Sequence, residues 1–254
     1  MIRINGLEKS FGKNHVLRGV NLEIKDGETI TVMGGSGTGK SVLIKHIVGL
    51  LKPDKGRIFV DDAEVTKLKE ENLFQVQKRF GYLFQGAALF DSLTVGENVA
   101  FGLHNLRPDL AKHWKDVVAE KLSLVGLGPD VSNLKPAELS GGMKKRVALA
   151  RAIAYEPDYV LYDEPTTGLD PIMSDVINEL ILALQKKLKV TSVVVTHDMK
   201  SAYKVSNRIA MLYQGKIVAV GTPEQIQKTT DPLVKQFTTG SSEGPIKMQV
   251  KAFE

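Results

Sequence analysis

The octapeptide Gly34-Gly35-Ser36-Gly37-Thr38-Gly39-Lys40-Ser41 restricts the possible folds of this chain more than any other segment. Spaced glycines ahead of a Lys-Ser pair follow the pattern of a phosphate-binding loop. With no side chains in the way, the backbone N–H groups from Gly35 to Lys40 can curl around phosphate oxygens, and a following helix adds the positive end of its dipole. Lys40 is then placed to reach the outer phosphates, and Ser41 to put a hydroxyl on Mg2+. Such a loop needs a strand before it and a helix after it. Thr29-Ile30-Thr31-Val32-Met33 reads as a buried strand, and the stretch from Val42-Leu43-Ile44 to Val48-Gly49-Leu50 reads as the helix. These flanks weigh against the competing reading, a glycine-rich turn with no ligand.

The 254 residues, 43% of them hydrophobic, suffice for one large domain or two close subdomains and exclude a disordered chain. No apolar run is long enough to cross a bilayer, and Met1-Ile2-Arg3-Ile4-Asn5 lacks the apolar core of a secretion signal, so a place on the cytosolic side is expected. The absence of cysteine removes disulfides, dithiol redox chemistry and thiolate metal sites. A net charge of +5 fits solubility with mild attraction to an anionic membrane surface. Of the two densest basic clusters, Met143 to Arg146 and Lys186 to Lys189, the second falls at a helix end, where cations complement the dipole.

Along the chain, the apolar positions Val16, Leu17, Val20, Leu22 and Ile24 ahead of an Asp26-Gly27 turn predict half-buried strands. Thr29 to Met33, Tyr159 to Tyr162 and Thr191 to Thr196 are continuously apolar strands separated by helical segments, which predicts a parallel sheet covered on both faces. Ile177, Leu180, Ile181, Leu184 and Leu188 recur at helical spacing and would cover one of them. From about residue 86 to 157 helical patterns predominate, including Trp114 to Leu122 and Lys144 to Ala154, and this stretch reads as an insertion between the first two core strands. Thr222-Pro223-Glu224-Gln225 and Asp231-Pro232 are helix starts. The expectation is an α/β domain over residues 1–240 with an antiparallel β-subdomain at its N-terminus and the helical insertion, followed by a linker-like tail over 241–254.

A phosphate loop alone does not choose among chemistries. Tyr159-Val160-Leu161-Tyr162-Asp163-Glu164 is an apolar strand ending in two carboxylates, so Asp163 is placed to hold Mg2+ and Glu164 to activate an attacking water. A single terminal carboxylate could serve solubility; two directly before Pro165 point to hydrolysis. Leu139-Ser140-Gly141-Gly142-Met143 precedes a helix whose free N–H groups, with the Ser140 hydroxyl, would face an anion.

Together these three motifs resemble the ATP-binding cassette family, whose signature is usually written LSGGQ; Met143 stands where that pattern has Gln. The resemblance runs from Phe11 to His197 and into the C-terminal helices. It implies a P-loop NTPase core that takes ATP and Mg2+, with the octapeptide and Val42 on the nucleotide. Gln85 matches the loop that reaches Mg2+ and the hydrolytic water and links the site to a membrane partner. His197 matches the switch histidine at the outer phosphate. Phe11 matches the aromatic that stacks on adenine, its alternative being a core phenylalanine. Gly168-Leu169-Asp170 matches the loop that crosses a dimer interface. In that family the turn at Ser140, Gly141 and Gly142 closes on the ATP held by a second copy. One copy of each motif therefore implies a head-to-tail homodimer.

The absence of a span implies separate transmembrane permease subunits docked near Gln85, with the chain peripheral on the cytoplasmic face of the inner membrane. Leu83 to Asp91, Gly39 to Val42, Glu138 to Arg146 and Asp231 to Phe237 are similar to the Mla-type ATPases serving MCE-protein systems. That likeness implies phospholipid transport between membranes, an MCE lipid-binding partner, a small regulatory subunit, and a tail from Ile246 to Glu254 that reaches the neighbouring ATPase. The closest rival is the ATPase of a binding-protein-dependent importer of amino acids or ions. No duplicated ATPase unit or basic-aromatic stripe supports a nucleic-acid partner. A nucleotide-binding regulator without turnover is the remaining alternative.

Overall fold

Side chains along a strand alternate between its two faces, and that period sorts the apolar residues of this chain into cores on either side of one sheet. The structure, a computed structural model, describes residues 1–247. Its strands are β1 (Ile2–Phe11), β2 (Asn14–Ile24), β3 (Thr29–Met33), β4 (Lys55–Val60), β5 (Ala63–Glu64), β6 (Phe80–Leu83), β7 (Tyr159–Asp163), β8 (Thr191–Thr196), β9 (Arg208–Tyr213) and β10 (Lys216–Gly221). Its α-helices are α1 (Lys40–Ile47), α2 (Glu70–Gln77), α3 (Val95–Ala100), α4 (Leu103–Leu106), α5 (Pro108–Ala111), α6 (Trp114–Leu124), α7 (Gly141–Ile153), α8 (Pro171–Leu188), α9 (Met199–Val205), α10 (Pro223–Gln227) and α11 (Pro232–Thr239).

Strands β2-β1-β4-β5 form an antiparallel sheet, and β10-β9-β3-β8-β7-β6 form the second. In the second sheet β6, β7, β8, β3 and β9 run parallel, and β10 closes one edge antiparallel to β9. The expected α/β class with an N-terminal antiparallel sheet is what forms. Leu161 of β7 and Val193 and Val195 of β8 pack with Leu43, Ile44 and Ile47 of α1 and with the antiparallel sheet. Val160, Tyr162 and Val194, one residue out of phase, pack with Val147 of α7 and Ile177 and Ile181 of α8. Each such fully buried side chain stabilises by roughly 1.5–3 kcal/mol. A one-residue slip would exchange the two sets, so the register is strongly fixed.

Three sequence expectations shift. Helix α1 begins at Lys40 and ends at Ile47, short of Leu50, because Gly49 turns with φ near +70°. Phe80–Leu83 is itself a sheet strand paired with β7, so the helical insertion connects the neighbours β6 and β7 rather than following β3 directly. Strand β9 completes the parallel set, although its apolar run from Ile209 to Leu212 was available as a signal. The C-terminal helix starts form as expected: Thr222 and Gln225 exchange a capping box, and Asp231 caps α11.

Ile246, first residue of the expected partner-reaching tail, packs beside Val234 and Phe237 of its own chain. The buried Gln236 amide donates to the Ile246 carbonyl at 3.0 Å and accepts its N–H at 2.6 Å. Residues 248–254 of that tail lie outside the described residues.

At the N-terminal ends of the parallel strands, Asp61 accepts from the Met1 ammonium at 2.6 Å, from Arg79 at 2.8 Å and from the Tyr159 hydroxyl at 3.0 Å. Burial opposes ionisation of Asp61, but these donors outweigh it and hold its carboxyl at about 2. A depressed folded-state value means that the stabilisation is present above the ordinary carboxylate range and is lost as pH falls through about 2. Asp61→Asn is therefore expected to lower stability by about 1 kcal/mol near neutrality, the scale for a partly exposed network. Urea midpoints of the two proteins should converge as pH approaches 2; a gap independent of pH would contradict this account.

Candidate nucleotide-binding site

Because β3, β6, β7 and β8 are parallel, their C-terminal ends share one edge. The pairing sets Met33 opposite Thr196, Asp163 opposite Val195 and Leu83 opposite Tyr162. Residues just past these ends therefore converge: the loop from Gly34, Gln85 after β6, Glu164 after β7 and His197 after β8. They border a cleft of about 480 Å³ also lined by Phe11, Val16, Ser36, Gly37, Gly39, Lys40, Ser41 and Val42.

The glycine requirement is steric at two loop positions. A Cβ on Gly34 would lie 2.4 Å from the Leu212 carbonyl oxygen, and one on Gly39, at φ +101°, would lie 2.8 Å from Val16. Thr38 donates its hydroxyl to the Gly35 carbonyl at 2.9 Å and closes the loop. Gly39 caps α1 without a side-chain hydrogen bond, so the first-turn N–H groups remain available to an anion. Lys40 curls back over the loop, donating to the Gly34 and Gly35 carbonyls at 2.9 and 3.0 Å, with its ammonium 3.3 Å from Glu164.

Behind the loop, Ser41 donates to Asp163 at 2.7 Å and the Tyr82 hydroxyl donates to the same carboxylate at 3.2 Å. Burial first, then the Asp163 charge, push the Tyr82 hydroxyl far up, so it stays a donor. Glu164 adopts φ +48°, a left-handed conformation uncommon for a residue with a side chain. Its Oε2 accepts from His197 Nδ1 at 2.9 Å and from the Thr167 and Thr196 hydroxyls at 3.2 Å. Since a carboxylate only accepts, the His197 proton sits on Nδ1. Burial favours neutral Glu164, but the His197 hydrogen bond and the Lys40 charge outweigh it and hold its carboxyl below the ordinary range. Glu164 is thus ionised and oriented from three sides at neutral pH.

Phe11 is 48% exposed at the end of β1, which rules out the core reading and leaves its ring facing solvent at the cleft. Gln85 and His197 are exposed there as well. The Ser140–Gly142 turn lies elsewhere. Ser140 caps α7 by accepting from the Met143 N–H at 3.2 Å, Ser140 and Gly141 are exposed, and the turn does not line the cleft of its own chain. Asp170, also outside the cleft, caps α8 through the Ile172 and Met173 N–H groups, each at 3.0 Å. Tyr82, Thr167 and Thr196 are site residues that the sequence reading missed. No motif marks them, although Thr196 adjoins His197 and Tyr82 precedes Gln85 by three residues.

The arrangement fits a nucleotide and a hard cation. An uncapped helix start, a buried lysine and a strain-free glycine cradle suit polyphosphate. A hydroxyl beside one carboxylate suits Mg2+, which takes few protein oxygens and completes its shell with water and phosphate. No trio of His, Cys, Asp or Glu able to cage a metal occurs among the described residues. Lys40→Ala removes a charge-assisted contact of about 1.5–3 kcal/mol and should weaken nucleoside triphosphate binding roughly tenfold to hundredfold by titration calorimetry. Unchanged affinity would place the phosphates elsewhere.

The family described as ABC transporter matches residues 17–167. The chain is 39% identical over 247 residues to the "Probable ribonucleotide transport ATP-binding protein mkl" of Mycobacterium tuberculosis, covering 97% of this chain and 68% of that protein. It is 39% identical over 254 residues to the "Intermembrane phospholipid transport system ATP-binding protein MlaF" of Haemophilus influenzae, covering 99% and 95%. Among solved structures, the dimeric post-hydrolysis state of the ATP-binding cassette MJ0796 bound to ADP and phosphate superposes with a TM-score of 0.81 at 33% identity, covering 88% of this chain and 99% of that one. With the phosphate loop, the two carboxylates and the signature turn all in place on this fold, the chain belongs to the ABC transporter family, as an ATP-hydrolysing cassette.

Proposed function

We propose that this chain is the ATPase subunit of a phospholipid transporter and works as a head-to-tail pair of identical copies. The observation that carries the pairing is the separation of the site into halves. Ser140 and Gly141 are exposed at the start of α7, yet they do not border the cleft that holds Lys40 and Glu164. A second copy, turned by a two-fold axis, can bring that turn over the cleft, and the same operation completes the other site. The neighbouring cassette MJ0796 is dimeric.

In this reading Phe11 stacks on the base, the loop amides and Lys40 hold the phosphates, and Ser41, Asp163 and Gln85 are the residues that would hold Mg2+. When bound, the ion neutralises charge on the phosphate oxygens. Glu164 orients the attacking water and accepts its proton as the water oxygen bonds to the terminal phosphorus and the bond to the departing diphosphate breaks. His197, bonded to Glu164 through Nδ1, keeps that carboxylate aimed. Thr196 and Thr167 restrain it further.

No helix among the described residues is long and apolar enough to cross a membrane. An apolar groove lined by Phe74, Phe84, Phe90, Phe101 and Tyr155, beside the Gln85 loop, supports docking of a permease subunit there and a peripheral position on the cytoplasmic face of the inner membrane. The phospholipid cargo is favoured by the likeness to MlaF over nearly the full length of both chains. An amino-acid or ion importer, the rival reading, finds no support in that likeness. The MCE lipid-binding partner, the small regulatory subunit and a neighbour contact by the tail belong to the same proposal.

Cargo is recognised by the partners and not by the cassette. Isolation of the native membrane complex, with mass spectrometry of its proteins and small molecules, is expected to yield a permease, an MCE protein and bound phospholipid. A soluble amino-acid receptor, or bound ribonucleotide as the mkl name suggests, would overturn the lipid assignment. Glu164→Gln is expected to bind ATP but stall cleavage, and to run as a pair on a sizing column in ATP. If it stays single with its partners present, the two-copy site is wrong.

A further inference from the structure

We infer that Lys145, on α7, is a positioning residue that locks the Gln85 loop and the Glu164 turn to the signature helix. This rests on the ATPase reading above. Lys145 is only 5% exposed, and its ammonium donates to the main-chain carbonyl of Gln85 and, at 3.3 Å, to that of Glu164. Both acceptors are backbone atoms of residues whose side chains border the cleft. An ammonium there fixes where two chain segments run and leaves their side chains free to act. Charged donors make stronger and shorter hydrogen bonds than neutral ones, and removing one leaves two inward-facing carbonyls without it.

The same helix grips the loop a second time. Arg151 donates to the Ala88 and Ala87 carbonyls at 2.6 and 2.7 Å. Ala87 and Ala88 have φ of +63° and +49°, conformations that an alanine holds only under outside constraint. Arg151 also lies 5.9 Å from the Phe90 ring, in the apolar groove. One rigid helix thus connects three things: the groove through Arg151, the loop backbone through Arg151 and Lys145, and the Glu164 turn through Lys145. Its N-terminus is the Ser140 turn. Movement of α7 must carry Gln85 and Glu164 with it, because cation-to-carbonyl bonds hold all of these segments together.

The sequence offered Lys145 only as part of a basic cluster. Lys144 and Arg146 beside it are partly exposed, and burial singles out Lys145. A positioning role acts through the reacting geometry, so its loss should appear in turnover rather than in ATP affinity, which Phe11, Lys40 and Ser41 supply.

The test uses the full chain with its copurifying membrane partners. Lys145→Met is expected to lower kcat roughly tenfold to hundredfold while KM for ATP stays within about threefold. Lys145→Arg, which keeps a charged donor, should recover most of the parent kcat. If Lys145→Met melts below the assay temperature, Lys145→Gln, which keeps a neutral donor, replaces it with the same expected split. A kcat equal to the parent's, a loss confined to KM, or an Arg variant no better than Met would each overturn the inference. Glu164→Gln is measured in parallel. If it hydrolyses ATP like the parent, the ATPase reading itself fails; if it is inactive while Lys145→Met turns over at the parent rate, only the role of Lys145 falls.

Discussion

The common direction of β6, β7, β8 and β3 is the constraint on which the rest depends. Parallel pairing puts every strand's C-terminal end on one edge, and the register leaves Met33, Leu83, Asp163 and Thr196 within two rows of each other. Four segments distant in sequence thereby leave the sheet at the same place. The two apolar cores enforce that alignment, since alternate residues of β7 and β8 are committed to opposite faces. Catalytic geometry is a by-product of a register that hydrophobic burial had already fixed.

Several charged side chains are buried near that edge. Lys40, Glu164 and Lys145 are each nearly inaccessible to solvent. Buried ions destabilise a fold unless paired and fully hydrogen-bonded. Lys40 meets Glu164 and the loop carbonyls, Glu164 meets three donors, and Lys145 meets carbonyls of two site segments. The left-handed turn at Glu164 adds local strain. Hydrogen bonds that fix the direction of the Glu164 carboxylate are what electrostatic preorganisation requires. The signature turn does not line the cleft of its own chain, and completion by a second copy, as proposed, would tie the chemistry to association of the pair.

Local sequence was a good guide wherever the chemistry is local. The phosphate loop, the apolar strands at Thr29 and Thr191, the capping box at Thr222 and the helix start at Asp231 each depend on a few neighbouring residues. Phe80–Leu83 gave no usable period because the strand is so short, and it became a sheet element only by pairing with β7. Tyr82, Thr167 and Thr196 carry no motif of their own. They became site residues through distance to Asp163 and Glu164, and distance is a property of the folded chain.

The amino-acid order by itself determined the kind of chemistry: a glycine cradle with Lys40 and Ser41, paired carboxylates at a strand end, and a serine-bearing helix start. Those functions follow from side-chain type and short spacing, and they survive any arrangement that keeps the local elements. Only the tertiary structure decided that Glu164 is held by His197, Thr196 and Thr167, that Phe11 is a cleft residue and not a core one, and that Lys145 differs from its basic neighbours. Burial and long-range hydrogen bonding are set by which faces pack together, and no window of neighbouring residues contains that information.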